Sequence, residues 1–428
     1  MSRYSEARET YARLGVDTEL ALKQLASIPV SLHCWQGDDV RGFENGGADL
    51  SGGIQTTGNY PGRARTPGEL MEDLSFALQE IPGSRRLNLH ASYLVTQEPV
   101  DRNQIEPEHY QVWVDFAKEH QLGLDFNPTY FSSPMVKDNL TLSSPDAHVR
   151  QYWIEHGKRC RRVAESFAEK LGGHSLCNVW IPDGYKDVPA DRLGPRLRLK
   201  ESLDQIFAEK MPHVIDSVES KTFGIGLESF TVGSNEFYAY YAARHPGVYQ
   251  LMDTGHYHPT EMVSEKLSAL LCYAKYVPLH VSRPVRWDSD HVVTLTDELQ
   301  ELAKEIVRAK ATERVLIGLD FFDASINRVA AWIIGARNMQ KALLIALLEP
   351  SDAMARMQDT CRFTQLLACQ EELKTLDWGA VWEEFLSRAG MDGSLSWLSK
   401  VEDYEKRCSR KGDKDDDTRD GGIRTAVR

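Results

Sequence analysis

The chain has 428 residues, 42% of them hydrophobic, which is enough for a large buried core in one barrel or in two smaller domains. Its formal net charge of −13, with lysines and arginines scattered among the acids, argues against a nucleic-acid partner, and no apolar run is long enough to indicate a membrane span or a signal peptide. The seven cysteines include no CxxC pair, which argues against a disulfide framework and a thiolate zinc site, so we expect a cytoplasmic protein.

The N-terminal segment predicts one amphipathic helix over residues 5–26. Apolar residues recur near helical spacing, and no strong turn signal interrupts the segment before Ile28. We therefore expect residues 1–27 to form a helical extension ahead of the first strand. The apolar positions of this helix are Ala7, Tyr11, Leu14, Leu20 and Leu22.

Short apolar strands then alternate with longer helical segments. Eight such alternations between residues 28 and 348 indicate an α/β fold of the (β/α)8, or TIM, barrel type, in which a helix follows each parallel strand. We expect this barrel to be the catalytic domain. Its strand segments are SLHCW, LNLHASY, LDFNPTY, CNVWIP, DSVESK, QLMDTGH, LHVSRP and LIGLDF.

Several barrel helices carry start signals. Thr66 stands where a helix cap is expected, and Pro67 suits the first helical position after it. Ser144-Pro145-Asp146 and Thr296-Asp297-Glu298 each open a helix with an acid near the positive end of its dipole. Between residues 153 and 171 a helical pattern also carries a basic cluster. We interpret this cluster as a solvated helix face; its members are Lys158, Arg159, Arg161 and Arg162.

A glycine-rich segment, residues 37–65, separates the first strand from the helix that begins after Thr66. It contains eight glycines, has no convincing period, and is longer than a compact domain normally leaves without regular structure. A linker would need an independent domain on each side, and one strand with one helix is too little for a domain. We therefore predict that this glycine-rich loop covers the substrate.

The C-terminal part predicts further helices and then a disordered tail. An apolar helix is expected over residues 325–348, and helical pattern continues to about Leu386, which implies a helical extension over 349–404. Residues 405–428 are highly charged and contain almost nothing to bury. We expect that tail to be disordered.

Polar residues occur where several predicted strands end. In a parallel barrel the active site lies at these carboxyl ends, so the side chains there should converge on one rim. So many carboxylates with few cationic partners would repel one another unless divalent cations neutralised them. The residues are Glu219, Asp253, His256, His280, Asp288, Asp290 and Asp320.

We group these residues into two predicted metal sites. Glu219, Asp253, His280 and Asp320 would form a closed site, whereas His256, Asp288 and Asp290 would form a more open one, with Asp253 as a candidate bridge. Mixed oxygen and nitrogen ligands suit Mn²⁺, Co²⁺, Zn²⁺ or Mg²⁺. Taken singly, each residue has a structural explanation, since a lone histidine is often part of the core and DSD is a common turn sequence. Their joint occurrence on four consecutive strands favours metal binding.

Other residues near the strand ends are candidates for contact with a substrate. Lys221 shares a strand face with Glu219 by the two-residue period, although an exposed lysine at a strand end is the structural alternative. Four side chains could bind a sugar, and for the three aromatic ones core packing is an equally good explanation: His90, Trp35, Trp180 and Phe131. His33 and His258 are weaker candidates with structural or peripheral roles.

Several separated motifs, in the correct order, resemble the L-rhamnose isomerase family. They are CWQGDDV at the glycine-rich loop, VESKTFGIGLESFTVGS, DTGHYHPTE and HVSRPVRWDSDHVV. The resemblance extends over most of the chain, and the charged tail departs from it. It implies a xylose-isomerase-like barrel in a homotetramer, with two divalent ions per subunit, the catalytic one favouring Mn²⁺.

The resemblance also implies residue roles. Glu219, Asp253, His280 and Asp320 match ligands of a structural ion, and Lys221 matches a lysine near the reacting oxygens. The ligands that match the catalytic ion are His256, Asp288 and Asp290.

The predicted activity is therefore conversion of L-rhamnose to L-rhamnulose in rhamnose catabolism by a metal-assisted 1,2-hydride shift. Asp320, or a water or hydroxide held near Asp288 and Asp290, would move the hydroxyl proton while Lys221 stabilises negative charge on oxygen. An enediol route remains open, as does a metal-dependent epimerase or isomerase of another rare sugar. A metal-dependent DNA-repair endonuclease is disfavoured by the charge, and a scaffold protein has no need for an acidic rim.

Overall fold

The computed structural model describes residues 2–44, 50, 53–56, 58–393 and 395–408. Eight parallel strands form a closed barrel in which each strand pairs with the next one along the chain and the last pairs with the first. The prediction of a (β/α)8 barrel is confirmed. The first to eighth strands are Val30–His33, Arg85–His90, Gly123–Asn127, Ser175–Val179, Val214–Glu219, Val248–Asp253, Val277–Val281 and Val315–Leu319.

One longer helix follows each strand, as the alternating pattern requires. The predicted helix starts are confirmed, because the side chains of Thr66, Asp146 and Thr296 each accept a hydrogen bond from a backbone N–H in the first turn of a helix. No helix in the described parts of the chain is both long and apolar enough to cross a membrane. These eight helices are Pro67–Gln79, Gln111–His120, Ala147–Leu171, Leu193–Ile206, Asn235–Arg244, Val263–Leu271, Asp297–Arg308 and Arg328–Leu347.

The loops at the carboxyl ends of the strands contain short strands and short 3₁₀ helices. A two-residue antiparallel ribbon joins the loop after the fourth strand to the loop after the fifth, through Gly184–Tyr185 and Phe230–Thr231. Four 3₁₀ helices lie in the loops after the first and second strands: Cys34–Gln36, Ala91–Tyr93, Arg102–Gln104 and Pro107–Tyr110.

The N-terminal extension consists of two helices, Arg3–Arg13 and Thr18–Ser27, so the prediction of one continuous helix over 5–26 is wrong. Gly15 adopts a positive φ of 79°, which ends the first helix. The Asp17 side chain then accepts hydrogen bonds from two backbone N–H groups and begins the second helix. The apolar residues on both sides of the break keep a helical period, but Gly15 ends the first helix and Asp17 begins the second.

The C-terminal extension is helical, as predicted, and continues further than expected. Its last helix includes residues 405–407, so the predicted disorder is wrong for those three residues, and 409–428 lie outside the described residues. The buried Tyr404 anchors this helix, since its hydroxyl donates a 2.6 Å hydrogen bond to Asp73 Oδ1. The helices of the extension are Ser351–Asp359, Phe363–Leu373, Trp378–Arg388 and Ser396–Arg407.

The basic cluster of the helix Ala147–Leu171 is not entirely solvated, which corrects the sequence interpretation. Arg161 is buried, and its guanidinium makes two 2.8 Å hydrogen bonds to the carboxylate of Asp216 in the fifth strand. Arg159 pairs with Glu106 and Glu155. Arg161 therefore attaches this helix to the barrel, because a buried guanidinium needs a buried counter-charge.

Candidate metal centre and active site

The carboxyl ends of the last four strands deliver one acidic or imidazole side chain each to the same rim. Glu219 ends the fifth strand, Asp253 ends the sixth, His280 lies in the seventh, and Asp320 directly follows the eighth. The register places Asp253 beside His280 on neighbouring strands. All four side chains are buried.

These four residues form the first cluster, which matches the closed site predicted from the sequence. His280 Nδ1 lies 2.9 Å from Asp320 Oδ2, 3.2 Å from Glu219 Oε2 and 4.0 Å from Asp253 Oδ2. One ligand atom from each residue lies within 4.8 Å of the others. The arrangement could therefore hold a single ion between all four.

The geometry of the first cluster fits a divalent ion. His280 Nδ1 makes no hydrogen bond despite the carboxylates beside it, and Asp320 Oδ1 likewise has no hydrogen-bond partner among the described residues. Adjacent ligands of an octahedral ion with bonds of about 2.1 Å lie about 3.0 Å apart. The distances of 2.9 and 3.2 Å around His280 Nδ1 agree with that spacing. Atoms aimed at a common point rather than at one another are typical of metal ligands.

A second cluster adjoins the first and shares Asp253 with it. Ligand atoms of Asp253, His256 and Asp288 lie within 4.8 Å of one another, and His256 Nε2 is 3.0 Å from Asp288 Oδ2. His256 Nδ1 is also 3.2 Å from Glu219 Oε1, a contact that the sequence did not indicate. Asp290 lines the same pocket but is not part of this cluster.

Lys221 is the cation nearest to the second cluster. Its ammonium contacts Asp288 Oδ2, lies 3.4 Å from His256 Nε2, and sits 5.6 Å from the centre of the Trp180 ring. Burial would raise the pKa of the Asp288 carboxyl, but Lys221 and His256 hold it below its usual value. Burial likewise opposes the charge on Lys221, yet Asp288 and Asp290 raise its pKa. The two charges therefore keep each other ionised.

Three other members of the two clusters, Asp253, His256 and His280, have raised pKa values, which favours their protonated forms in the metal-free protein. Burial, together with the neighbouring carboxylates of Glu219 and Asp288, raises the pKa of Asp253 to about 8. Burial opposes charge on His256 and His280, but the carboxylates around them raise both pKa values well above the usual range. Protons thus offset part of the negative charge that divalent ions would otherwise neutralise.

An aromatic wall completes the pocket above the clusters. The four predicted sugar-binding residues all line it, and Trp35 stacks on His90 with ring centres 4.1 Å apart. Ile54, which belongs to the glycine-rich loop, also lines the pocket, in agreement with the predicted covering role. The pocket is also lined by four residues that the sequence pattern did not indicate: Asn127, Thr129, Asn178 and Phe322.

The two weaker histidine candidates differ in their surroundings. His33 is fully buried, with Nδ1 3.1 Å from Asp320 Oδ1 and Nε2 accepting a 3.1 Å hydrogen bond from Asn88 Nδ2. Gly318 leaves room for its ring, since a Cβ there would lie 3.3 Å from His33 Nε2. His258 is exposed and contacts Thr260, so it lies at the periphery.

Comparisons with known proteins show the family of this chain. A family model described as L-rhamnose isomerase (RhaA) matches residues 1–411. The chain belongs to the L-rhamnose isomerase family. The L-rhamnose isomerase of Salmonella typhi is 57% identical over 407 residues, which cover 95% of this chain and 97% of that relative. The L-rhamnose isomerase of Mannheimia succiniciproducens is 56% identical over 405 residues, which cover 94% and 97%.

Solved structures similar to this L-rhamnose isomerase family member are more distant. A D-tagatose 3-epimerase-like protein has a TM-score of 0.49 and 12% identity, covering 74% of this chain and 97% of that one. An L-ribulose 3-epimerase has a TM-score of 0.47 and 11% identity, covering 77% and 97%. These likenesses are too weak to distinguish an isomerase from an epimerase.

We predict that Mn²⁺ binding to the metal-free protein releases protons at pH 7. Metal ligands must be deprotonated, whereas Asp253, with a pKa of about 8, and both imidazoles carry protons at that pH. Affinity should therefore fall as the pH falls below 8. Titration calorimetry in two buffers of different ionisation enthalpy measures the release, and a binding enthalpy that is the same in both buffers would contradict it.

Proposed function

We propose that this chain interconverts L-rhamnose and L-rhamnulose in rhamnose catabolism. The observation that carries the proposal is the pair of adjoining carboxylate–imidazole clusters with Lys221 beside them, at the catalytic end of the barrel. The chain's membership of the L-rhamnose isomerase family supplies the substrate. An aldose and a ketose differ only in the position of hydrogen on C1 and C2, so the site must move one hydrogen and one proton.

The proposed cofactors are two divalent ions per subunit. Glu219, Asp253, His280 and Asp320 would hold the first ion, and the carboxylate shared between the clusters suits a bridge. We infer Mn²⁺ for the second ion, from the family resemblance; Co²⁺, Zn²⁺ and Mg²⁺ suit the same donors. When bound, the ions would polarise the sugar carbonyl and stabilise negative charge on its oxygens. The ligands proposed for the second ion are His256, Asp288 and Asp290.

The protein's own groups would control the proton and the charge in the reaction. In the aldose-to-ketose direction, the C2 hydrogen moves to C1 with its electron pair, and the C2 hydroxyl loses a proton while the C1 oxygen gains one. Asp320, or a water held by Asp288 and Asp290, would carry that proton. The ammonium of Lys221, held in the pocket by Asp288, would stabilise the negative charge that develops on oxygen.

The aromatic wall would position the sugar and exclude water. Trp35, Trp180 and Phe131 present flat apolar surfaces to the pocket, and both indole N–H groups lack a hydrogen-bond partner among the described residues. The two indole N–H groups can therefore donate hydrogen bonds to sugar hydroxyls, while the three aromatic rings cover the apolar edge of the sugar. His90, stacked on Trp35, offers an imidazole to the same ligand. Ile54 would cover the sugar from the glycine-rich loop.

We also propose a cytoplasmic homotetramer. The seven cysteines are all free, which suits a reducing compartment. The tetramer follows from the family resemblance, and size-exclusion chromatography with light scattering measures the subunit number directly.

We expect protein stripped with chelator to form no ketose from L-rhamnose, and added Mn²⁺ to restore L-rhamnulose formation. The ions would supply the polarisation of the carbonyl that the reaction needs. Chromatographic identification of the product measures both reaction and substrate. Folded protein that forms no ketose with any divalent ion would overturn the proposed activity, and an epimer of the substrate would indicate an epimerase.

Asp290→Asn should lower kcat by about 100-fold or more, because one charge that holds the ion or the water is lost from the pocket. The amide keeps the volume of the side chain, so thermal unfolding should change little. Asp187→Asn, which changes an exposed carboxylate in the same way, is the matched control and should keep full activity. Equal activity of both variants would refute the role of Asp290.

A 1,2-hydride shift should retain the hydrogen that starts on C2. L-rhamnose carrying deuterium at C2, converted in ordinary water, should give ketose with the deuterium at C1, because the hydrogen moves within the molecule. Mass spectrometry of the product measures the retained label. Extensive loss of deuterium to solvent would favour the enediol route, in which a carboxylate removes a proton from carbon.

A further inference from the structure

Arg102 is a buried arginine that touches no predicted metal ligand or sugar-binding side chain. It begins the short helix Arg102–Gln104 in the loop after the second strand, and its side chain is 5% exposed. On one side, its Nε donates hydrogen bonds to both carboxylate oxygens of Glu44, at 2.8 and 3.2 Å. On the other side, its Nη atoms donate to three backbone carbonyls, those of Thr129, Phe131 and Ser132.

The three carbonyls belong to a strained turn that forms part of the pocket. Thr129 and Phe131 line the pocket, and the backbone of Thr129 has a φ of 58° and that of Ser132 a φ of 51°. A β-branched residue rarely adopts this left-handed region, so neighbouring contacts must stabilise the turn. A guanidinium can donate to several acceptors in a fixed geometry, which a lysine cannot do. Arg102 therefore holds the segment 129–132 in its observed conformation.

The same turn orients His90, one of the proposed sugar-binding residues. Thr129 Oγ1 accepts a 3.0 Å hydrogen bond from the backbone N–H of Ala91 and lies 3.3 Å from His90 Nδ1. Because the imidazole is buried and stacks on Trp35, a shift of Thr129 would move His90 with it. The effect of Arg102 on the pocket thus passes through Thr129.

Glu44 connects this turn to the glycine-rich loop. It follows Phe43, whose backbone N–H donates a 2.8 Å hydrogen bond to the carbonyl of Ser92, so this part of the loop is attached to the loop after the second strand. Farther along the same glycine-rich loop, Ile54 lines the pocket. One ion pair therefore joins the glycine-rich loop, at Glu44, to the turn 129–132, which forms part of the pocket wall.

We propose that Glu44 and Arg102 are a positioning pair, which couples the glycine-rich loop to the turn 129–132 and so sets the affinity of the pocket for the sugar. The proposal rests on the proposed function for the identity of the ligand. It concerns sugar binding and leaves the two metal clusters unchanged, because neither residue contacts a member of them.

The test uses two variants: one weakens the contact between Arg102 and Glu44, and the other weakens the contact between Arg102 and the three carbonyls. Glu44→Gln keeps the volume of the side chain but removes its negative charge. Arg102→Lys keeps a cation for Glu44 but loses the guanidinium N–H groups that donate to the three carbonyls. Each should raise KM for L-rhamnose about 10-fold, which corresponds to about 1.4 kcal/mol. The value of kcat and the Mn²⁺ affinity measured by calorimetry without sugar should stay close to those of the wild type.

Arg308→Lys is the matched control. Arg308 also makes a two-point contact with a glutamate: its Nε and one Nη donate to the carboxylate of Glu349, at 2.9 and 3.0 Å. This contact joins the end of the helix Asp297–Arg308 to the turn after the helix Arg328–Leu347. Its substitution should leave KM unchanged. An unchanged KM in Glu44→Gln, or an equal loss of metal affinity and kcat in both test variants, would overturn the positioning role.

Hydrogen–deuterium exchange gives a second measurement that does not depend on the substrate. In Glu44→Gln, peptides covering residues 88–93 and 127–134 should exchange faster than in the wild type and in Arg308→Lys, because the turn is no longer tied to the loop. Unchanged exchange there would overturn the coupling even if L-rhamnose proved not to be the substrate. Altered exchange without L-rhamnose turnover in the wild type would instead count against the proposed function alone. Should Arg102→Lys fail to fold, Glu44→Gln still decides the question by both measurements.

Discussion

The concentration of negative charge at the carboxyl rim of the barrel is the constraint on which the site depends. Five carboxylates line one pocket in surroundings where charges interact far more strongly than in water. The ammonium of Lys221 offsets part of this repulsion, and the raised pKa values of Asp253, His256 and His280 favour protonated forms that offset more of it. Divalent ions would replace those protons, so the repulsion between the carboxylates would also make the site selective for cations.

Strands and loops contribute different parts of this site. The first cluster comes from strand ends, whose positions are fixed by the hydrogen bonds of the barrel, and Asp253 and His280 are directly paired in that register. Apart from Asp253, the second cluster comes from loops, as do the aromatic residues Trp35, Phe131 and Trp180 of the pocket wall. Loops need contacts of their own to hold their shape. Lys221 performs that task for Asp288, as Arg102 does for the turn at Thr129. The first cluster, whose four ligand atoms must approach one point, thus lies at the ends of the barrel strands, which are more rigid than the loops.

The barrel and the first cluster could be predicted from the sequence because both follow local rules. Strand and helix segments alternate visibly, and the carboxyl ends of parallel strands meet, so Glu219, Asp253 and His280 could be grouped without any knowledge of distances. Contacts between distant positions could not be predicted in this way. The partner of Arg161 lies 55 residues away, so nothing local in the sequence distinguishes this buried arginine from the exposed Arg162 beside it. Gly15 was missed because a single glycine is tolerated in many helices.

Amide side chains at the strand ends follow the same rule as the acids. Asn127 and Asn178 lie at the ends of the third and fourth strands, so their positions in the sequence also predict that they face the pocket. Buried His33 has no feature in the sequence that separates it from a structural histidine, and only the position of its ring beside Asp320 distinguishes it.

The sharing of Asp253 between the two clusters would link the binding of the two proposed ions thermodynamically. An ion in one cluster would change the charge and the protonation of a ligand that the other cluster also uses, so the affinity of each position would depend on whether the other is filled. Such linkage is reciprocal, whichever ion binds first. Two apparent dissociation constants from one titration would therefore describe the pair of positions and not two separate ones, and a preparation containing one kind of ion would differ at both positions from a mixed preparation.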